Sequence, residues 1–193
     1  MVVPEVVTHY HLASRLPFLS LSDLDDVAVH EVMRDLNALR RAGRHRRQFG
    51  ATYIAWRRLT EASLREQFVA RGGRPERVTP HYFCLGESHW FEGLADDMRC
   101  VTLALADLPV DQVSVTLVDS FTAMGHGPTF GFPAAAEAHQ SRLYLLPELE
   151  HVLVEHGLPA DARLGYDGFD REVVDQFVEV QLWSDEPVRA HLA

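Results

Sequence analysis

Residues 176–183 run Gln176-Phe177-Val178-Glu179-Val180-Gln181-Leu182-Trp183. Val178, Val180 and Leu182 alternate with the other members of the run, the period of two that marks a β-strand with one core face. Phe177, Glu179, Gln181 and Trp183 share the opposite face. A carboxylate set between two aromatic residues is not an ordinary solvent-facing position. Apolar surroundings raise the pKa of such a group and an arginine partner lowers it. Glu179 is therefore a candidate for binding a sugar hydroxyl or stabilising a cation. A salt bridge on the sheet's second face is the alternative.

Further strands are expected upstream. Val6–Leu12 is short and β-branched at its start, and Tyr82–Leu85 is a brief apolar run after Pro80. Cys100–Ala106 puts Val101, Leu103 and Leu105 on one side, and Val113–Val118 alternates in the same way. Arg142–Leu146 reads as another short strand. Two helices precede most of these. Ser22 looks like an N-cap followed by Asp23, Asp25 and Asp26, where the helix dipole favours anions. Leu24, Val27, Ala28, Val32, Leu36 and Leu39 then recur at helical spacing, and Gly43 closes the helix. A second helix is expected from about Phe49 to Arg71, with Phe49, Tyr53, Trp56, Thr60, Leu64 and Phe68 as its stripe. Arg57, Glu61 and Arg65 form a charge ladder on another side of it. Ser88 begins a short helix through Leu94. A further helix starts at Pro147 and stops at Gly157. Met124–Pro133 and Leu158–Arg171 read as loops. The class is α+β, with a helical region (16–72) before a mixed or antiparallel sheet (78–185), in one domain spanning 1–193.

The 193 residues, 47% hydrophobic and 24% charged, suit one domain with an ordinary core. No apolar run approaches the ~20 residues that span a bilayer. No basic stretch followed by an apolar one marks a signal peptide. A soluble, cytoplasmic protein without membrane contact is the expectation. Cys84 and Cys100 suggest free, buried thiols rather than a disulfide framework. All 18 basic residues are arginine, as in the codon bias of a GC-rich bacterial genome.

The net charge of −10 is unevenly spread. Residues 100–193 hold 4 Arg against 15 acids, whereas residues 40–77 hold 11 Arg against 3. An acidic chain with one compact basic patch does not suit extended duplex DNA. Such a patch suits the phosphates of a nucleotide, or of a short single strand, and a nucleotide or small-molecule ligand is the expectation. A solvated helix face, paired with the acidic half, is the plainer reading of Arg40–Arg77.

Arg74 and Arg77 stand just before the Tyr82 strand, and arginine forks match phosphate oxygens. His81, Cys84 and His89 fit neither a zinc knuckle nor a His-Glu-x-x-His helix, so no metal site is expected. Asp161, Asp167 and Asp170 lack the spacing of a calcium loop. Asp119-Ser120 invites a hydrolase reading, but no Gly-x-Ser-x-Gly elbow accompanies it.

In order and character these segments resemble the ADP-ribosyltransferase fold, and DarT-type enzymes in particular. Tyr10-His11-Leu12-Ala13 is similar to their Tyr-His-x-Thr opening. Arg74 and Arg77 precede Thr79-Pro80-His81-Tyr82-Phe83, similar to an arginine before Val-Pro-Phe-Tyr-Phe. Val118-Asp119-Ser120-Phe121-Thr122-Ala123 resembles Phe-Thr-Asp-x-His-Ala. Phe177–Leu182 resembles the strand that carries the family's catalytic glutamate. The resemblance spans most of residues 70–185 with few identities. Ala13 stands where the family has threonine, and Pro17 where it has asparagine. The Leu16–Arg71 helical segment also departs from the family's N-terminal region.

The resemblance implies NAD as a substrate, with ADP-ribose passed to an acceptor it does not identify. Glu179 would be catalytic, holding the nicotinamide ribose and stabilising an oxocarbenium-like transition state. His11 would bind a ribose hydroxyl, and Arg74 or Arg77 the pyrophosphate. Tyr82 or Phe83 would stack on nicotinamide. The competing expectation is a non-catalytic, partner-binding bacterial protein that uses the Arg40–Arg77 region and the acidic half as protein-interaction faces.

Overall fold

The computed structural model describes residues 3–131, 134–158 and 177–192. The chain opens with β1 (Val6–Leu12), then α1 (Asp26–Arg41) and α2 (Tyr53–Ala70). β2 (His81–Leu85), α3 (His89–Glu92), β3 (Met98–Ala104) and β4 (Val113–Thr116) follow. The one-turn α4 (Ser120–Ala123), β5 (Leu143–Leu145), α5 (Leu149–His156) and β6 (Glu179–Leu182) come last. Among the described residues the strands form one sheet, ordered β3-β1-β2-β6-β4-β5, with every pair antiparallel. This is an α+β arrangement of helices and antiparallel sheet. Gln176, Phe132-Pro133, most of the 158–171 loop and Asp161, Asp167 and Asp170 lie outside the described residues.

Register assigns the two faces, because directly opposed residues of an antiparallel pair point to the same side. Val7, Phe83, Leu85, Val113, Val115, Val180 and Leu182 form the apolar face. It packs on Leu149, Val152 and Leu153 of α5 and on Val188 near the C-terminus. The other face carries Thr8, Ser114, Thr116, Glu179, Gln181 and Trp183, and it is buried as well. Leu64 and Phe68 of α2 cover Trp183 and Leu143 there.

A polar sheet face buried under a helix must satisfy itself. The Ser114 hydroxyl donates to Gln181 Oε1 at 2.7 Å and accepts from Trp183 Nε1 at 2.8 Å. Gln181 Nε2 donates to Thr116 Oγ1 at 3.1 Å and to Glu179 Oε1 at 3.0 Å. Glu179 thus ends a side-chain chain running along the sheet. It makes no ion pair among the described residues, so the salt-bridge alternative is not what the structure shows.

Several boundaries differ from the sequence expectation. Ser22 does not cap α1. Ser20 caps a separate 3-10 turn (Leu21–Asp23), Leu24 turns extended, and Asp25 caps α1 by accepting from the Ala28 N–H at 2.8 Å. The buried stripe of α1 is accordingly Val29, Met33 and Leu36, and Val27 is 73% exposed. Asp25→Ala is expected to cost about 1 kcal/mol in thermal melts, and Ser22→Ala less than about 0.5. A melt in which Ser22→Ala is the more damaging change would refute this assignment.

The second helix begins at Tyr53 rather than Phe49, because Phe49 is held otherwise. The Asn37 side chain donates to Phe49 O at 2.8 Å and accepts from Phe49 N at 2.9 Å, so it acts as a one-residue strand partner. Glu61, read as part of a charge ladder, is 1% exposed. α2 lies on the sheet, so that side of the helix faces protein. β3 starts and ends two residues before the expected Cys100–Ala106, and β4 ends two residues before Val118: Leu105–Asp107 forms a 3-10 turn, and Asp119 caps α4. Neither cysteine is in a disulfide, as read, but only Cys84 is buried, and Cys100 is exposed.

Candidate functional site

The β1–β2 ladder contains only Val7↔Leu85 and Thr8↔Cys84, whereas β1 pairs with β3 along its whole length. Beyond Thr8 the two strands part. The His9 imidazole fills the seam: Nδ1 donates to Tyr82 O at 2.8 Å, and Nε2 accepts from Phe18 N at 3.0 Å. A backbone N–H can only donate, so Nε2 is bare and the ring is neutral. Burial, with His11 and His81 nearby, pushes the His9 pKa down to about 4. Phe18 stacks on His9 at 4.2 Å between ring centroids and holds φ at +63°, a conformation disfavoured for a phenylalanine.

A cavity of about 860 Å³ opens at this parting, between the polar sheet face and the α1–α2 region. That volume suits a nucleotide-sized ligand. Its sheet wall includes Thr8, Tyr82 and Glu179, and Asp119 and Ser120 join them from the turn after β4. Tyr53, Phe49, Phe121 and Phe130 supply an aromatic wall. Arg40, Arg46, Arg47 and Arg57 line the same space, from the end of α1, the linker and α2.

The chemistry of the wall is unusual for a core. Glu179 is 9% exposed. Burial and the neighbouring Asp119 carboxylate push its pKa up to about 7, against the opposing pull of the Gln181 and Ser120 hydrogen bonds and of Arg57. Burial also raises Asp119, although its carboxylate accepts from Thr122 N at 3.1 Å and from Thr122 Oγ1 at 2.6 Å. Arg57 Nε lies 3.1 Å from Glu61 Oε1, in a contact not aligned as a hydrogen bond. An Arg57 Nη donates to Tyr53 OH at 3.1 Å, and the guanidinium sits 4.4 Å from the Tyr82 ring centroid. Tyr82 OH donates to Glu61 at 3.1 Å. The Tyr82 face therefore already carries a cation. The Thr8 hydroxyl, 1% exposed, lines this cavity with no hydrogen-bond partner among the described residues. A buried hydroxyl left so costs about 1–3 kcal/mol, which a ligand would relieve.

Of the residues singled out from sequence, Glu179, Tyr82 and Phe83 line the cavity, and His11, Arg74 and Arg77 do not. His11 donates from Nδ1 toward Leu12 O and Arg15 O, each at 3.0 Å. Arg74 is exposed and its backbone N–H meets Asp111 O. Arg77 is held by Asp23 and Asp185, and His81 donates to the same Asp185 carboxylate. His89 contacts Glu92. His126, the histidine near Ser120 in sequence, hydrogen-bonds Thr60. His9, Arg57 and Thr8 were not singled out. The alternation of β1 put His9 and His11 on one face without telling them apart. The 40–57 part of the basic stretch, not 74–77, faces the cavity.

Among the described residues no helix is long and apolar enough to cross a membrane. No protein-family model matches the chain, and no curated protein and no solved structure matches it significantly.

Proposed function

We propose that the chain is an NAD-dependent mono-ADP-ribosyltransferase-like protein whose acceptor is open. The observation that carries the proposal is the charge pattern of one cavity. Buried Glu179, half-buried Asp119 and a tyrosine face that carries Arg57 share it with three further arginines, Arg40, Arg46 and Arg47. That pattern complements a ligand that is cationic at one end and anionic at the other, as the nicotinium ring and pyrophosphate of NAD are.

The roles follow from position. Glu179 receives the nicotinamide ribose and opposes the positive charge that grows as the glycosidic bond breaks. Tyr82 stacks on the departing ring, in or beside the place Arg57 now holds. The pyrophosphate goes to arginines of the 40–57 segment, which present planar forks to phosphate oxygens. Both His9 nitrogens are engaged, so His9 is a positioning residue that keeps β1 against Tyr82 and Phe18. Thr8 then offers the free β1 hydroxyl for a ribose oxygen.

Incubating the protein with labelled NAD tests the proposal through nicotinamide release and through the NAD-dependent rise of the melting temperature. Catalysis needs Glu179 ionised, and its pKa is about 7. Nicotinamide release is therefore expected to climb roughly tenfold between pH 6 and pH 8. A flat profile over that range removes Glu179 from the role. If NAD is not turned over and does not stabilise the protein, the competing partner-binding role stands.

A further inference from the structure

Asp119 faces the same cavity as Glu179, yet it comes from a different element. β4 pairs with β6 through Thr116↔Glu179, so Asp119 lies just past the end of that ladder. Ser120, the next residue, lines the cavity beside Glu179 and draws the pKa of its carboxyl down. Asp119 also caps α4 through Thr122. Capping does not account for an aspartate, because serine or asparagine serves an N-cap equally well without placing a second charge in a buried cavity. Two neighbouring carboxyl groups destabilise each other, and such pairs are found where two acid–base tasks are divided.

We propose that Asp119 is the general base that takes the proton from the incoming nucleophile, an inference that rests on the ADP-ribosyl-transfer reading. Glu179 is occupied with the developing cation and is tied to Gln181. Each Asp119 oxygen accepts one hydrogen bond from Thr122 and keeps a lone pair for a further proton. Glycosyl transfer in general separates these tasks between two carboxyl groups. The bond between C1′ and the nicotinamide nitrogen breaks, and its electron pair stays on that nitrogen and neutralises the ring. A new bond forms from C1′ to the nucleophile, whose proton passes to Asp119 and on to water. No electrons leave or enter the system. Burial strengthens Asp119 as a base once it is ionised.

Water serves as the test nucleophile, with NAD as the only added substrate. Asp119→Asn and Asp119→Ser both keep a side chain able to cap α4, and their melting temperatures verify the fold. Nicotinamide release is expected to fall about 100-fold or more in both. Azide is a nucleophile that carries no proton to remove. It is expected to restore release in Asp119→Ser to within about tenfold of the wild type, with ADP-ribosyl azide seen by mass spectrometry. Azide is expected to leave Glu179→Gln inactive. Release within about threefold of wild type in both Asp119 variants overturns the proposal. So does a folded, inactive Asp119→Ser that azide does not restore. A wild-type protein that neither releases nicotinamide nor is stabilised by NAD refutes the transfer reading itself, and that arm is read without any variant.

Discussion

At pH 8 the Glu179→Gln variant is expected to melt roughly 6–10 °C above the wild type, while its nicotinamide release falls at least about 100-fold. The folded-state pKa of Glu179 is about 7, against an ordinary 4.5. The folded protein therefore holds this proton more tightly than the unfolded chain does. Below about pH 4.5 the group is neutral in both states and costs nothing. As pH rises through 7, the folded state must ionise a carboxyl it buries beside Asp119. The cost grows to about 3 kcal/mol above pH 7. Glutamine carries no such charge and still accepts from Gln181. The gap in melting temperature should accordingly shrink to about a quarter by pH 5 and close by about pH 4. A variant that melts below the wild type at pH 8 would show that Glu179 contributes stability instead of consuming it.

Glu61→Ala carries the opposite sign. Glu61 is almost fully buried and receives both the Arg57 guanidinium and the Tyr82 hydroxyl. Its removal strands a half-buried cation between two tyrosines, which costs about 2–3 kcal/mol, below the range for a fully buried pair. Removing the cation as well should recover most of that loss, because an apolar replacement of a buried pair is often neutral. Urea melts of Glu61→Ala, Arg57→Leu and the double variant measure the coupling. Strictly additive losses would mean that the pair does not act as a unit. Arg57 stands one turn before Glu61, the weaker orientation for a helical ion pair. Its place is explained by the cavity it lines and not by the helix.

What could be read from the sequence divides along physical lines. Alternation located three of the six described strands, since Val180 and Leu182 on β6 or Val113 and Val115 on β4 report a core face directly, and β1, β2 and β5 showed only as short runs. Gly43 and Gly157 marked helix ends correctly, because a positive φ is a local demand. The identity of the buried polar face was only half visible. Ser114, Thr116 and Gln181 look like solvent-side residues in isolation, and only the helix laid over them makes them a network. Phe177 and Trp183, flanking Glu179, carried the available hint. Arg57 and Glu61 looked like a surface ladder for the same reason. Arg77 drew attention by its nearness to β2, yet its partners, Asp23 and Asp185, come from both ends of the chain. His9 differs from His11 only because one strand pair stops two rungs in, a long-range event with no local signature.

That short seam also bears on where the molecule opens. β1 and β3 pair with each other from distant parts of the chain, and the ladder joining them to the remaining four strands has two rungs, extended by one imidazole. An isolated two-stranded ribbon is marginal in water, and segments held by few buried contacts open first. Lower hydrogen-exchange protection at the β1–β2 seam than at the β2–β6 ladder is the expected result. Thr8, and the contacts of His9 with Tyr82 and Phe18, are in place only while that seam is closed. Opening of the seam and loss of binding competence are then one event.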